Sequence, residues 1–70
     1  MARRLIPMTI RTFYEDYFGR LSCNGWYTDQ LFITDIQVRQ KIVSALYVLT
    51  LSDDSEVTVD GNTHVEVELY

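Results

Sequence analysis

With a single cysteine, Cys23, the chain cannot close an internal disulfide, and it has no C-x-x-C pair for a metal or redox centre. One proline and three glycines are scattered over seventy residues. That leaves no linker, no low-complexity segment and no glycine-rich phosphate loop. No apolar run approaches the ~18 residues of a membrane-spanning helix. After Met1-Ala2-Arg3-Arg4 only Leu5-Ile6 precede Pro7, short of the ~7–15 apolar residues of a secretory signal. The expectation is a protein in a reducing compartment, cytoplasmic (host cytoplasm if viral), with no membrane partner. The last twenty residues also lack lysine and arginine, although they hold six carboxylates.

Seventy residues make one domain, 1–70, and a chain this short buries only roughly 60% of the surface its unfolded form exposes. Without disulfides, such a domain relies on tight aromatic packing or on self-association. Aromatics are plentiful: five tyrosines, three phenylalanines and Trp26. Each can bury ~150–250 Å².

The net charge of −4 is unevenly distributed. Residues 1–20 carry Arg3, Arg4, Arg11 and Arg20 against Glu15 and Asp16, a balance of +2. Residues 21–50 are neutral, with Asp29 and Asp35 against Arg39 and Lys41. Residues 51–70 hold Asp53, Asp54, Glu56, Asp60, Glu66 and Glu68 uncompensated, a balance of −6.

The pattern predicts an α+β domain, mostly β, with an antiparallel sheet and one or two short helices. Residues 45–51 are a β-branched and aromatic run stopped by Ser52-Asp53-Asp54-Ser55. Val57 and Val59, then Val65, Val67 and Leu69, alternate with polar residues on either side of Asp60-Gly61-Asn62. This reads as a hairpin that completes a three-stranded C-terminal meander. A three-residue loop puts all the valines on one face, with Val57 opposite Val65 and Glu56 opposite Glu66. Residues 34–47 read as helix or strand, and the helix is preferred. It gathers Ile36, Val38, Ile42, Val43, Leu46 and Tyr47 on one side, with Thr34-x-x-Gln37 as capping box. Thr12-x-x-Glu15 reads as another capping box, ahead of a short helix carrying Phe13, Tyr14, Tyr17 and Phe18, with Gly19 as its C′ residue. Met8-Thr9-Ile10 reads as a strand. So do Trp26-Tyr27 and Leu31-Phe32-Ile33, which follow Asn24-Gly25.

Residues able to carry chemistry are few. Cys23 and His64 are the only candidates for a nucleophile and base, and neither has a local signature. Asp53-Asp54 and Glu15-Asp16 are adjacent pairs that a turn would leave solvated, whereas acid–base work needs one member desolvated. Asp53, Ser55, Glu56 and Asp60 do not match the spacing of a calcium loop. No metal and no cofactor is expected. The N-terminal arginines with Phe13, Tyr14 and Tyr17 could make a stacking basic patch, but a chain of net −4 neutralises little phosphate. No direct nucleic-acid binding is expected.

The expected function is therefore protein binding without catalysis. Six carboxylates, Asp53, Asp54, Glu56, Asp60, Glu66 and Glu68, are the predicted contact residues for a basic, nucleic-acid-binding surface of a partner. Like charges facing each other across a hairpin repel, and a basic partner would relieve them. An inhibitor or nucleic-acid mimic of viral or mobile-element type fits that description. The alternative is a structural subunit that forms a homo-oligomer. Tyr14, Tyr17, Trp26 and Tyr27 are the candidate aromatic interface residues, since a small domain cannot bury every aromatic.

Overall fold

The structure, a computed structural model, describes residues 4–20 and 22–70. Arg3, counted above among the N-terminal cations, lies outside the described residues. The described residues form six strands: β1 Leu5–Thr9, β2 Cys23–Trp26, β3 Ile33–Gln40, β4 Ala45–Leu51, β5 Glu56–Asp60 and β6 His64–Leu69. A helical turn, α1 Ile10–Thr12, runs straight into a π-helical stretch Phe13–Tyr17 between β1 and β2. The strands form two antiparallel sheets, in the orders β1-β6-β2 and β3-β4-β5. A single bridge, Trp26 to Phe32, links the end of β2 with the approach to β3. The domain is mostly β and antiparallel, as its composition and alternation imply.

The expected C-terminal hairpin does not form. A three-stranded meander is present, but it consists of β3, β4 and β5, and β6 leaves for the other sheet between β1 and β2. Glu56 therefore pairs with Thr50, and Glu66 lies between Pro7 and Trp26. The Asp60–Thr63 segment is a tight turn in which Thr63 N–H donates to the Asp60 carbonyl (3.2 Å). The Asp60 carboxylate accepts from Asn62 N–H at 2.9 Å. That turn docks on the start of α1, where Ile10 N–H donates to Thr63 O (2.8 Å) and Arg11 N–H to Gly61 O (3.2 Å). The backbone groups of the turn are thus satisfied by the helix start, and the chain swings from one sheet to the other.

Residues 34–47 are a strand hairpin, not the preferred helix. Ile36 and Val38 face inward, opposite Leu49 and Tyr47, while Asp35, Gln37 and Arg39 face outward. A bulge at Thr34 lets Ile33 face inward as well, although it is three residues from Ile36. The Thr34 hydroxyl caps no helix, and instead donates to Thr50 O at 3.1 Å. Ile42 and Val43, counted above on the helix's apolar side, form the tip of the turn, where Lys41 N–H donates to Ser44 O (2.7 Å).

The true N-cap of the short helix is Thr9, whose hydroxyl oxygen accepts from Thr12 N–H, so helix starts at Ile10 rather than after Thr12. Gly19 does occupy the position after the C-cap Phe18, at φ 87°, a conformation that costs glycine least. β2 takes in Asn24 and Gly25 ahead of Trp26, and Tyr27 lies beyond the strand. The core joins both sheets: Val65 and Val67 of β6, Ile33 and Ile36 of β3, and Tyr47, Leu49 and Leu51 of β4. Ile10 and Phe13 close it from the helix side.

A groove on the outer face of the β1-β6-β2 sheet

β6 is the central strand of its sheet, and its period of two sends Val65 and Val67 into the core and His64, Glu66 and Glu68 to the outer face. Register fixes their neighbours. His64 lies opposite Thr9, Glu66 between Pro7 and Trp26, and Glu68 between Leu5 and Asn24. The Trp26 indole N–H reaches diagonally across the strand to Glu68 Oε1, at 3.0 Å. Phe32 meets the same indole edge-on, with ring centres 5.6 Å apart. The tryptophan is thus held from two sides, half-buried, on the outer face.

Beside it lies a groove of about 340 Å³, walled by Leu5, Trp26 and Tyr27, with His64, Asp29 and Glu66 supplying the polar part. Its size is at the lower end of the ~300–1,000 Å³ typical of ligand pockets. Among the described residues, no lysine or arginine lines it. Asp29 is carried by the β2–β3 loop, where the Thr28 hydroxyl accepts from both Gln30 N–H (3.2 Å) and Leu31 N–H (3.1 Å). Those bonds shape the loop locally, as threonine does at turns. An apolar floor flanked by two carboxylates suits a cationic group with an aliphatic stem: the stem packs on the rings and the charge meets the acids.

The six predicted carboxylates do not form one surface. Asp53 and Asp54 sit in the β4–β5 turn, Glu56 and Asp60 project from the edge strand β5, and Glu66 and Glu68 belong to the other sheet. Several also serve the fold. Asp53 accepts from Ser55 N–H (3.0 Å) and from the Ser55 hydroxyl, and those bonds lower its pKa below the ordinary value. Asp60 shapes its turn, and Glu68 holds Trp26. Of the six, only Glu66 lines the groove.

The aromatic candidates divide too. Trp26 and Tyr27 line the groove, whereas Tyr14 stacks on Phe18 (6.0 Å) and meets Tyr47 edge-on (5.8 Å). Tyr17 is half-buried against the core. Leu5, Asp29 and His64 were not among the predicted contact residues. Thr28-Asp29-Gln30 does read as a turn between apolar runs, but nothing in it indicates that β1 and β6 will be neighbours.

Cys23 and His64 do not meet. Cys23 pairs with Leu69 at one end of β6 and His64 sits at the other, on the order of 17 Å away at ~3.4 Å per residue. The Cys23 thiol donates to Tyr17 O at 3.1 Å, and burial raises its pKa against the opposing pull of Arg20. Among the described residues no three potential metal ligands come together. No helix among the described residues is long and apolar enough to cross a membrane. Comparison with protein families, with curated proteins and with solved structures finds no match for this chain.

Proposed function

We propose that the chain is a non-enzymatic protein-binding module, and that the groove beside Trp26 receives a basic segment of its partner. The observation that carries this reading is the groove itself: apolar and aromatic walls joined to Asp29 and Glu66, with no lysine or arginine among the described residues that line it. Its carboxylates are exposed, which suits charge pairing at a surface rather than proton transfer in a desolvated site. A nucleic-acid-binding protein is the favoured partner, because such surfaces concentrate arginine and lysine. Binding in the groove would occlude that surface, as an inhibitor does. The reading rests on one pocket and not on a row of carboxylates at phosphate spacing, because the acidic residues are divided between two sheets.

Trp26 is the only tryptophan and lines the groove, so its emission reports on the site directly. Titration with an arginine-rich peptide should change that emission saturably, and high salt should weaken the effect. Glu66→Lys should abolish it, and an acidic peptide should do nothing. A basic peptide that leaves the emission unchanged at every concentration contradicts the proposal.

A further inference from the structure

Turns are usually built from glycine, proline, asparagine, aspartate and serine. The β3–β4 turn is instead Lys41-Ile42-Val43-Ser44. Ile42 is 103% exposed and Val43 93%, so neither touches the domain that carries it. The turn needs no left-handed residue, since neither Ile42 nor Val43 has a positive φ. Its geometry therefore does not explain two β-branched apolar residues at its tip. Cations flank them: Lys41 adjoins Ile42, and Arg39 is on the outward face of β3 just before. The tip is a small apolar wedge with two positive charges, and the groove is an apolar slot with two carboxylates, Asp29 and Glu66.

We infer that, until a foreign basic segment takes its place, the groove is occupied by the β3–β4 tip of a second copy of the same chain. Ile42 and Val43 lie against Leu5, Trp26 and Tyr27, while Arg39 and Lys41 face Asp29 and Glu66. Apolar contact at the centre with paired charge at the rim is the usual anatomy of a specific interface. The contact joins two different surfaces, so it is heterologous, and a pair of copies leaves one tip and one groove free for further neighbours. The inference rests on the groove reading above, that the slot takes a basic segment, and adds a second copy of the chain as a competitor for it.

Sedimentation or light scattering of the full chain, from low micromolar to millimolar, tests it. The wild type should exceed the 8.2 kDa of one chain as concentration rises. A tip variant, Ile42→Ser with Val43→Ser, should stay monomeric, and so should a groove variant, Glu66→Lys. Their circular dichroism should be unchanged, and Asp29→Lys provides a second groove variant should Glu66→Lys unfold. An equimolar mixture of tip and groove variants keeps one intact tip and one intact groove. It should recover association and stop at two chains, twice 8.2 kDa. A wild type that is monomeric throughout overturns the inference, as does association that survives either variant or a mixture that fails to recover. If the arginine-rich peptide still binds while the wild type is monomeric, the groove reading stands and only the self-contact fails.

Discussion

The ring of Phe13 occupies the space that a side chain at Gly25 would need. A Cβ built on Gly25 comes within 2.6 Å of Phe13 Cζ and 2.8 Å of Cε2. Phe13 is 2% exposed and belongs to the π-helical stretch, and Gly25 is in mid-strand opposite Val67. Together with the backbone bonds of Ile10 and Arg11 to the Asp60–Thr63 turn, this contact seats the helix on the β1-β6-β2 sheet. It also explains why glycine stands inside a strand, where it otherwise weakens the structure.

Gly25→Ala should destabilise the domain by ~1–3 kcal/mol, the usual cost of overpacking a core. Urea unfolding measures it. Combining it with Phe13→Leu, which frees the same space, should cost less than the two changes summed, and a double-mutant cycle isolates that coupling. Strict additivity would mean that the ring and the glycine are not in contact.

Gly61→Ala is the contrasting case. Its Cβ would come within 2.7 Å of Arg11 Nη2, the mobile end of a long exposed side chain. The arginine can swing away, so the cost should stay below ~0.5 kcal/mol. A loss as large as that at Gly25 would show that the guanidinium is fixed against the turn.

Those two glycines illustrate what the sequence conveys. Composition and alternation were sufficient for a small antiparallel domain, for β4 and β5, and for Gly19 behind the helix. The helical reading of 34–47 failed because it counted Ile42 and Val43 as buried, and because Gln40 broke the alternation. Gln40 lies opposite Ala45 at the exposed end of the hairpin, where a polar residue on the inner pleat is tolerated. The β5–β6 hairpin failed for a different reason. Val57, Val59, Val65 and Val67 share a pattern but face the core from different sheets, and local periodicity carries no information about which strand a valine will meet. The groove depends on β1 pairing with β6, residues nearly sixty positions apart, so only Trp26, Tyr27 and Glu66 were legible as contact residues beforehand.

Glu68→Ala should remove the acceptor for the Trp26 indole. The expected cost is ~0.5–1.5 kcal/mol, typical of one lost hydrogen bond, with a red shift of tryptophan emission as the ring loosens. Glu68→Gln keeps an acceptor oxygen and should shift the emission less. Equal shifts in the two variants would show that the charge, and not the hydrogen bond, holds the ring.

Acid should act on the β4–β5 turn through Asp53. Hydrogen bonds from Ser55 depress its pKa below the ordinary carboxylate value. The unfolded chain then binds the proton more readily than the folded one. The stabilisation is present above that value and is lost as pH falls through the lower folded pKa. Asp53→Ala should therefore be less stable than wild type at neutral pH, and the gap should close in strong acid. A gap that does not change with pH would mean that the carboxylate charge plays no part in the turn.

Cys23 should react slowly with thiol reagents at neutral pH, because burial raises its pKa and the thiolate is the reactive form. Denaturant should restore the rate of a free cysteine. Fast labelling of the folded chain would show that the end of β2 opens readily.

The central claim is that the outer face of β1-β6-β2 is the binding surface, and an amide-resolved NMR titration of the full chain with an arginine-rich peptide tests it most directly. The account predicts shifts at Leu5, Tyr27, Asp29, His64 and Glu66 and at the Trp26 indole, with Asp53, Asp54 and Glu56 unmoved. Shifts confined to the β4–β5 turn and strand β5, with the groove silent, would contradict it and return the acidic edge as the contact surface.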